Sequence, residues 1–395
     1  MIEYFRNQNR FHAAEKSGNR QLEEPMDFST HKPVRIFTGE NCLSAHPEVF
    51  REAGRRALIV TGAHGADASG AVDDILSVLK QADCTYVRFN RIPENPPAPM
   101  CCEAGRIARE EGCDFIVAAG GGSALDAGKA IAGYAANPDC GPDDIFNDTV
   151  RTNPCLPIIA VPTTAGTGSE AVRYSVLTID GGARKKTFKH PSAYPKASFV
   201  DPRYTYTLSD KYTASTALDA LAHAVESYLS PKSCPASEEA ALYAAREIWD
   251  ILFRQNKTTG WTKEDRTRLS YAACAAGVAI DYTGTGFPHP LGYCLTLTRG
   301  TPHGEACAIF EGAYLSYNRL TDAGAARIDA LAETIGATPD EMIERIPEKS
   351  GIHLTIGPEE RESLIDRVAG AGNFANSPYV ISRGEMSDIF ARLFG

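Results

Sequence analysis

Short apolar segments rich in β-branched residues alternate with amphipathic segments along the first half of the chain. The apolar segments predict strands over Val34–Phe37, Ala57–Thr61, Thr85–Phe89, Phe115–Ala118 and Pro157–Val161. The amphipathic segments predict helices near 69–82, 100–112 and 123–135. Nearly all-apolar strands separated by helices are typical of a parallel sheet covered on both faces. This half is therefore predicted to be an α/β domain of the nucleotide-binding type.

The hydrophobic pattern changes near Asp201, and from Ser209 onward apolar residues recur at helical spacing. Helices are predicted over 211–229, 235–255, 264–281, 304–319, 323–335, 359–369 and 384–393. The sequence thus predicts two domains, an α/β domain over 26–203 and an all-helical domain over 204–395. Residues 1–25 are polar and lack an apolar period, so we interpret them as an N-terminal extension.

Composition narrows the class of protein. The 395 residues carry 40 Lys and Arg against 50 Asp and Glu, a net charge of −10, so the positive field that binds nucleic acid is absent. No apolar run reaches the roughly 18 residues of a membrane span, and the N-terminus does not have the pattern of a signal peptide. Eleven dispersed cysteines without a CxxC pair indicate reduced thiols. We expect a soluble cytoplasmic protein with neither nucleic acid nor membrane as a partner.

A run of three glycines follows the predicted strand at 115–118 and opens a predicted helix. Gly120, Gly121 and Gly122 are followed by Ser123, so backbone N–H groups and the positive end of the helix dipole converge there. Glycine is needed because a side chain would keep a pyrophosphate away from the main chain. The motif predicts a phosphate-binding turn. A tight strand–helix turn with Ser123 as the N-cap is the alternative that the motif alone leaves open.

A second glycine-rich segment, PTTAGTGSE at 162–170, also follows an apolar strand. Thr163, Thr164 and Ser169 supply hydroxyl donors at the carboxyl edge of the sheet, where open α/β sheets bind their ligands. A mobile loop capped by serine and threonine is the alternative interpretation. Two such loops on neighbouring strands favour a dinucleotide site.

Four residues of the helical half form a candidate metal site. Asp219 and His223 are separated by four residues, which places a carboxylate and an imidazole on one helix face. His289 and His303 lie in segments punctuated by glycine and proline. Together they form a set of three nitrogens and one oxygen that suits Fe2+ or Zn2+. Scattered core histidines would give the same spacing, so this alternative stays open.

The segments GGGSALDAGK, PTTAGTGSE, DALAHAVESYLS, HPLG and PHG resemble, in this order, the signature segments of the iron-containing (group III) alcohol dehydrogenases. The resemblance runs from about Val34 to the C-terminus. It implies a Rossmann-like dinucleotide-binding domain and a helical metal-binding domain of the dehydroquinate synthase type, with the active site between them. It also implies an NAD- or NADP-dependent enzyme that holds Fe2+, with Zn2+ as an alternative, and forms a homodimer.

The resemblance assigns the metal ligands to Asp219, His223, His289 and His303. Many relatives have a further histidine four residues after the third ligand, and here that position is Tyr293, the candidate proton relay. A rival alignment would place Thr285 on the ligand position and leave three ligands. We prefer the first alignment because it needs no gap between the last two histidines.

The cofactor phosphates are expected on Gly120, Gly121, Gly122, Ser123, Thr163, Thr164 and Ser169, with Asp126 and Lys129 at the start of the following helix. Relatives that favour NAD often have an acidic residue after the strand that corresponds to ALIVT, to bind the ribose 2′-hydroxyl. Here that residue is Gly62, so the sequence predicts that NADP is tolerated.

The expected reaction is hydride transfer between NAD(P)H and a short-chain alcohol or aldehyde. Arg173 and Arg299 are candidate substrate residues that could bind an anionic aldehyde carrying a carboxylate, sulfonate or phosphonate. Surface or interdomain ion pairs are the alternative role for both arginines. A metal-dependent lyase or synthase on the same scaffold and a non-catalytic binding protein are the competing functions.

Overall fold

The computed structural model describes residues 26–30 and 33–395. The predicted extension at 1–25 lies outside the described residues. The strands of the main sheet fall between Arg35 and Val200, and the long helices that follow begin at Asp210. An α/β region therefore precedes a helical region, which is the fold class that the sequence predicts.

The main sheet contains six parallel strands in the order β1-β8-β5-β4-β2-β3. These are β1 (Arg35–Thr38), β2 (Arg56–Thr61), β3 (Thr85–Phe89), β4 (Phe115–Gly120), β5 (Ile158–Pro162) and β8 (Ala197–Val200). The chain moves outward from β2 to β3 and then returns to the other side of β2 with β4. Such a reversal opens a crevice at the carboxyl ends of the strands, where ligands bind.

Four helices of seven or more residues cover the sheet: α1 (Pro47–Ala53), α2 (Ala71–Gln81), α3 (Ala98–Glu110) and α4 (Gly122–Ala136). Between β2 and α2 lies the shorter helix Gly65–Ala68. The α4 helix packs so closely on β4 that a Cβ atom at Gly128 would lie 2.4 Å from the Cβ atom of Ala118. This contact fixes the direction in which α4 leaves the sheet.

The helical region contains nine described helices around one apolar core. They are α5 (Asp210–Leu229), α6 (Pro235–Trp249), α7 (Lys263–Thr283), α8 (Pro288–Arg299), α9 (His303–Asn318), α10 (Asp322–Ile335), α11 (Pro339–Lys349), α12 (Pro358–Val368) and α13 (Arg383–Phe394). A π-helix, Asp250–Arg254, extends α6. Short 3-10 helices lie at Phe28–Thr30, Asp144–Phe146, Ser169–Ala171, Asp180–Gly182, Pro191–Ala193, Pro202–Thr205 and Gly372–Ala375.

Hydrophobic periodicity did not predict α8 and α11. Pro288 and Pro290 lie in the first turn of α8, where proline is tolerated because the first N–H groups of a helix have no partner. Pro347 lies inside α11. In both segments proline suggests a loop from the sequence alone.

The segment 174–189 was also missed, and it forms an antiparallel hairpin of β6 (Tyr174–Ile179) and β7 (Arg184–Lys189). In β7 only Phe188 is buried, and most of the other side chains are charged. A strand with so few apolar residues gives no period-2 signal. Strand β8, which follows this hairpin in the chain, was missed as well.

Among the residues that the structure describes, no helix combines the length and apolar character needed to cross a membrane. Each of the eleven cysteines is unpaired. The expectation of reduced thiols therefore agrees with the fold.

Candidate metal and cofactor site

The four predicted metal ligands come from three helices of the helical region. Asp219 and His223 lie one turn apart in the middle of α5, His289 lies in the first turn of α8, and His303 is the first residue of α9. All four side chains converge on one point. The structure therefore brings together residues that are 84 positions apart in the sequence, from 219 to 303.

One oxygen atom is the centre of this cluster. Asp219 Oδ1 lies 3.9 Å from His223 Nε2, 3.8 Å from His289 Nε2 and 3.8 Å from His303 Nε2. For metal–ligand bonds of about 2.1–2.3 Å, tetrahedral donor atoms lie about 3.4–3.8 Å apart. The observed separations are close to this range. They are too long for hydrogen bonds, so the donors face one another across a gap.

Two of these donor atoms are buried without a partner. Asp219 is 3% exposed and His289 is 2% exposed, and neither Asp219 Oδ1 nor His289 Nε2 has a hydrogen bond to any described residue. A buried polar atom without a partner costs about 1–3 kcal/mol. Such atoms facing one another indicate a bound cation, and three nitrogens with one carboxylate oxygen fit Fe2+ or Zn2+.

The histidines are held in the form that binds metal. Burial lowers the pKa of His223 and of His289 to about 4, and Asp219 opposes the shift in both. Burial also lowers the pKa of His303, as does the nearby Lys185 ammonium group. At neutral pH all three imidazoles are therefore neutral, and a lone pair on each ring is free for a metal.

Glu226 orients one of the ligands, and sequence reasoning missed it. Its carboxylate accepts hydrogen bonds from His289 Nδ1 at 2.6 Å and from the Gly286 backbone N–H at 2.5 Å. A bond to Nδ1 leaves Nε2 of the same ring for the metal. The signal was present, because Glu226 lies three residues after His223 and seven after Asp219, on the same face of α5.

A second buried carboxyl group, Glu311 of α9, lies against Glu226. Burial raises the pKa of both groups. The Glu226 carboxylate further raises the pKa of Glu311, whereas the interaction with Glu311 lowers that of Glu226. Two adjacent carboxyl groups that are both fully buried cannot both be ionised. We therefore assign one proton to the pair, with Glu226 as the charged acceptor behind His289.

A glycine lets α9 approach α5 closely enough to join the ligands. A Cβ atom at Gly304 would lie 1.8 Å from the Ser215 carbonyl oxygen and 2.8 Å from the Asp219 backbone nitrogen. No larger residue fits at this crossing. Gly304 follows His303 directly, so the same contact sets the position of that imidazole.

The two glycine-rich segments lie side by side. The turn after β4 (residues 120–123), called here the phosphate cradle, has φ of +147° at Gly120. The Gly120 carbonyl accepts a hydrogen bond from the Thr163 N–H at 2.9 Å. A Cβ atom at Gly122 would lie 2.5 Å from a methyl carbon of Thr167. The cradle and the second glycine loop (residues 163–170) thus form one surface at the carboxyl edge of the sheet.

The second glycine loop also contacts the helical region. A Cβ atom at Gly168 would lie 2.3 Å from the Cα atom of Gly277 in α7, and φ at Gly168 is +61°. At Gly166 a Cβ atom would lie 2.8 Å from the Cβ atom of Thr216 in α5. This loop therefore connects the cofactor side of the crevice to the helix that carries Asp219.

Two of the residues predicted at the cofactor site, Lys129 and Asp126, have partners within the protein. Lys129 is completely buried, and its ammonium group donates to Ser169 Oγ at 2.6 Å and to the Tyr174 carbonyl at 2.7 Å. Asp126 accepts hydrogen bonds from Ser169 Oγ at 2.6 Å and from the Val176 N–H at 2.8 Å. These groups hold the second glycine loop and β6 onto α4. The Lys129 side chain is thereby turned inward, whereas the Asp126 side chain stays partly exposed.

Ser123 is not the N-cap that the alternative interpretation of its motif predicts. The α4 helix begins at Gly122 with Gly121 as N-cap, so Ser123 lies inside the first turn. Its hydroxyl oxygen accepts a hydrogen bond from the Asn95 N–H at 3.1 Å. The loop after β3 is thereby held over the cradle.

The candidate substrate residues have different environments. Tyr293 stacks on His303 with a centroid separation of 5.3 Å, and burial raises the pKa of its phenol. Arg299 forms an ion pair with Glu360 at the surface. The Arg173 guanidinium lies 5.8 Å from the Tyr174 ring and 5.6 Å from the Tyr194 ring. Only Tyr293 therefore has a contact with the metal cluster, and Arg299 has the ion-pair role considered as its alternative.

Lys185 of β7 lies close to the metal cluster, where Arg173 and Arg299 were the candidate cations. Its ammonium nitrogen lies 4.5 Å from the centroid of the Tyr293 ring. Burial lowers its pKa, and the carboxylates of Asp219 and Asp126 oppose this shift. The sequence RKKTFK gave no indication that one of its lysines turns inward, because the hairpin itself was not predicted.

Gly62 lies where the sequence places the ribose-binding residue. It follows β2, the strand beside β4, so it shares an edge of the sheet with Gly120. A Cβ atom at Gly62 would lie 3.3 Å from the Ile92 carbonyl oxygen. No carboxylate occupies this position.

A pH-dependent contribution to stability is predicted from Glu170, at the end of the second glycine loop. Burial raises its pKa from 4.5 to about 7. Between these values the folded state holds a proton that the unfolded state has released, so the contribution of Glu170 to stability falls as the pH rises. The Glu170→Gln variant should therefore gain stability over the wild type, by up to about 3 kcal/mol, between pH values of about 5 and 8. Urea unfolding of the metal-free proteins measures this gain; a difference independent of pH would contradict it.

Comparisons with known proteins agree with this arrangement. Residues 33–202 match the model of the family described as iron-containing alcohol dehydrogenase, and residues 213–351 match that of the Fe-containing alcohol dehydrogenase family, C-terminal. The chain is 32% identical over 377 residues to 1,3-propanediol dehydrogenase of Citrobacter freundii, covering 91% of this chain and 96% of that protein.

Solved structures resemble the whole fold. An iron-containing alcohol dehydrogenase from Thermotoga maritima has a TM-score of 0.84 at 32% identity, covering 92% of this chain and 98% of that one. Sulfoacetaldehyde reductase from Bifidobacterium kashiwanohense, solved in complex with NAD+, has a TM-score of 0.79 at 28% identity, covering 91% and 97%.

Proposed function

The chain belongs to the iron-containing alcohol dehydrogenase family, and from this premise we propose that it transfers a hydride between NAD(P)H and a short-chain alcohol or aldehyde. The reaction is alcohol + NAD(P)+ ⇌ aldehyde + NAD(P)H + H+, so one hydride and one proton leave the alcohol. The proposed metal ligands are Asp219, His223, His289 and His303. The enzyme class, an oxidoreductase acting on alcohols or aldehydes, follows from the family.

One observation carries this proposal. Three neutral imidazoles surround a single buried carboxylate oxygen at 3.8–3.9 Å, with Asp219 Oδ1 and His289 Nε2 lacking partners among the described residues. A cluster of core histidines satisfied by hydrogen bonds would not leave these atoms unpaired. When bound, a divalent ion here supplies Lewis-acid chemistry, which stabilises negative charge on the substrate oxygen.

The chain's own residues shape the substrate side of the site. Tyr293 packs flat on His303, and its raised pKa keeps the phenol protonated, so it can donate a hydrogen bond but is a poor base. We assign to Lys185 the positive charge nearest the substrate oxygen, because its ammonium group lies over the Tyr293 ring. Arg299 has no part in this assignment.

The cofactor is proposed to bind across the cradle and the second glycine loop. Free N–H groups at the first turn of α4 suit a pyrophosphate, because the helix dipole favours negative charge there. Glycines at 120–122 let the phosphates approach the backbone. The nicotinamide would then extend into the crevice toward α5, since the second glycine loop contacts both sides.

Gly62 is proposed to let the enzyme accept NADPH. A carboxylate at this position would repel the 2′-phosphate and bind the 2′-hydroxyl instead. The Gly62→Asp variant should therefore change the ratio of kcat/KM for NADPH to that for NADH by about tenfold or more toward NADH. The uncharged Gly62→Asn variant is the matched control. Steady-state kinetics with both cofactors measure the ratio, and an equal change in the two variants would exclude the electrostatic cause.

A second substrate class is supported by a specific observation. The Lys185 ammonium group lies beside the metal cluster, where it could pair with an anionic group of an aldehyde. The similar protein from Bifidobacterium kashiwanohense is a sulfoacetaldehyde reductase, and sulfoacetaldehyde is an aldehyde of this class. Neutral short-chain substrates remain the first proposal, because one lysine also suits a neutral substrate oxygen.

The proposed function is tested by turnover. The protein is purified anaerobically, stripped of metal, reloaded with Fe2+ or Zn2+, and assayed with neutral and anionic aldehydes in the presence of NADH or NADPH. We expect stoichiometric oxidation of the cofactor that depends on added metal. Cofactor binding without net oxidation of the cofactor would indicate a lyase or synthase. Metal binding without any turnover would indicate a binding protein.

A further inference from the structure

A cysteine thiol lies within the cluster of metal-binding side chains. Cys307 is completely buried in α9, one turn after His303. Its Sγ atom lies 3.7 Å from both ring nitrogens of His303. The sequence analysis interpreted it only as one of eleven reduced thiols.

The sulfur is close to the other donors as well. One donor atom from each of Asp219, His289, His303 and Cys307 lies within 4.8 Å of all the others. Two of these donors, Asp219 Oδ1 and His289 Nε2, are the buried atoms without a hydrogen-bond partner among the described residues. The thiol therefore faces a point that other unpaired donors also face.

The helices supply these donors in matching pairs. Asp219 and His223 occupy positions i and i+4 of α5, and His303 and Cys307 occupy positions i and i+4 of α9. Side chains with this spacing lie on one face, one turn apart. Each helix thus presents a two-donor face to the same gap.

The packing around Cys307 leaves room for its sulfur. A Cβ atom at Gly292 of α8 would lie 3.0 Å from Cys307 Sγ, so a larger residue there would displace the thiol. Lys185 is an electrostatic neighbour of Cys307 and of Asp219. Burial raises the pKa of the Cys307 thiol, as do the nearby carboxylates of Asp219, Glu226 and Glu311, and the Lys185 ammonium group opposes this shift. A bound divalent cation would supply the positive charge that stabilises the thiolate, which is the form of cysteine that binds metal.

We propose that Cys307 is a sulfur donor of the metal centre, in addition to the four ligands assigned above. This inference rests on the proposed function, because it requires the metal at that site. Coordination replaces the S–H bond with a metal–sulfur bond and releases the proton to solvent. A soft sulfur donor shifts preference toward Zn2+ and Co2+ and away from Mg2+ and Mn2+, which prefer oxygen.

The test uses the full-length protein with Co2+ as the metal probe. A cobalt–thiolate bond gives an intense near-ultraviolet charge-transfer band, whereas nitrogen and oxygen ligands give only weak visible bands. We expect the charge-transfer band in the wild type at one Co2+ per chain. The Cys307→Ser variant should lose this band and bind Zn2+ about tenfold more weakly or worse, with a smaller change for Mn2+. Cys307→Ala serves in its place if the serine variant does not fold.

A matched control is Cys294→Ser, which changes another buried cysteine whose sulfur contacts the backbone carbonyls of Pro290 and Leu364. This variant should keep the band. Weak visible bands without the charge-transfer band in the wild type would overturn the assignment of Cys307 but leave the proposed function intact. Failure of the wild type to bind Co2+ at all would overturn both.

Discussion

The Asp219→Ala variant is expected to fold normally but to lose its bound metal and lower kcat on the order of 10³-fold, which corresponds to about 4 kcal/mol of transition-state stabilisation. The reason is geometric. Asp219 Oδ1 is the one atom that lies 3.8–3.9 Å from all three imidazoles. Its removal takes away the only negative charge among the four assigned ligands. Metal analysis of the purified protein and steady-state kinetics measure the two losses together.

Two further variants distinguish the specific loss of the metal from a general loss of folded structure. Asp219→Asn keeps the size of the side chain but removes its charge, and it should also lose most of the metal. Glu239→Ala removes an exposed carboxylate from α6 and should leave metal content and kcat unchanged. If Asp219→Ala retained full activity and one metal per chain, the proposed mechanism would be wrong.

The Gly304→Ala variant is expected to be destabilised by about 3 kcal/mol or more. The new Cβ atom would lie 1.8 Å from the Ser215 carbonyl oxygen, so α9 must move away from α5. This movement carries His303 away from Asp219. We therefore expect a lower Tm and weaker metal binding from the addition of a single methyl group. Thermal unfolding and a metal-binding titration measure the two effects.

The control for this variant is Gly384→Ala, in the first turn of α13. A Cβ atom there would have no contact closer than 3.9 Å, from Ser382 Oγ, and the change should be neutral or slightly stabilising, by up to about 1 kcal/mol. An unchanged Tm in Gly304→Ala would show that α5 and α9 separate without cost. The account of how His303 is positioned would then fail.

The sequence was most informative where local patterns determine structure. The strand–glycine–helix order at 115–136 predicted β4, the cradle and α4, because apolar runs and glycine turns act over a few residues. The spacing of Asp219 and His223 placed both on one face of α5 for the same reason. The positions of His289 and His303 relative to that face came from the family resemblance and were not derivable from spacing.

Local sequence patterns could not predict contacts between segments that are far apart in the chain. Lys129 was expected to bind phosphate, but it is buried against Ser169 and Tyr174, which lie 40 and 45 positions away. Arg299 was a candidate substrate residue with a surface ion pair as its alternative role, and in the structure it pairs with Glu360. Lys185 was missed because its hairpin carries charge rather than an apolar period.

Two residues near the metal cluster could have been predicted from the sequence but were overlooked. Glu226 and Cys307 each lie on a helix face already identified by a histidine, at i+3 from His223 and i+4 from His303. Extending the helical spacing from each histidine would have found both. The predicted cytoplasmic location, the homodimer and the domain limits at 203 and 204 stay predictions.

Anomalous diffraction at the metal absorption edge, from crystals of the protein loaded with one equivalent of Zn2+, tests the central claim most directly. We predict one peak in the crevice, about 2.0–2.3 Å from Asp219 Oδ1 and from Nε2 of His223, His289 and His303. A peak elsewhere would contradict the claim that these side chains hold a catalytic metal. So would the absence of a peak between them in protein that carries one Zn2+ per chain.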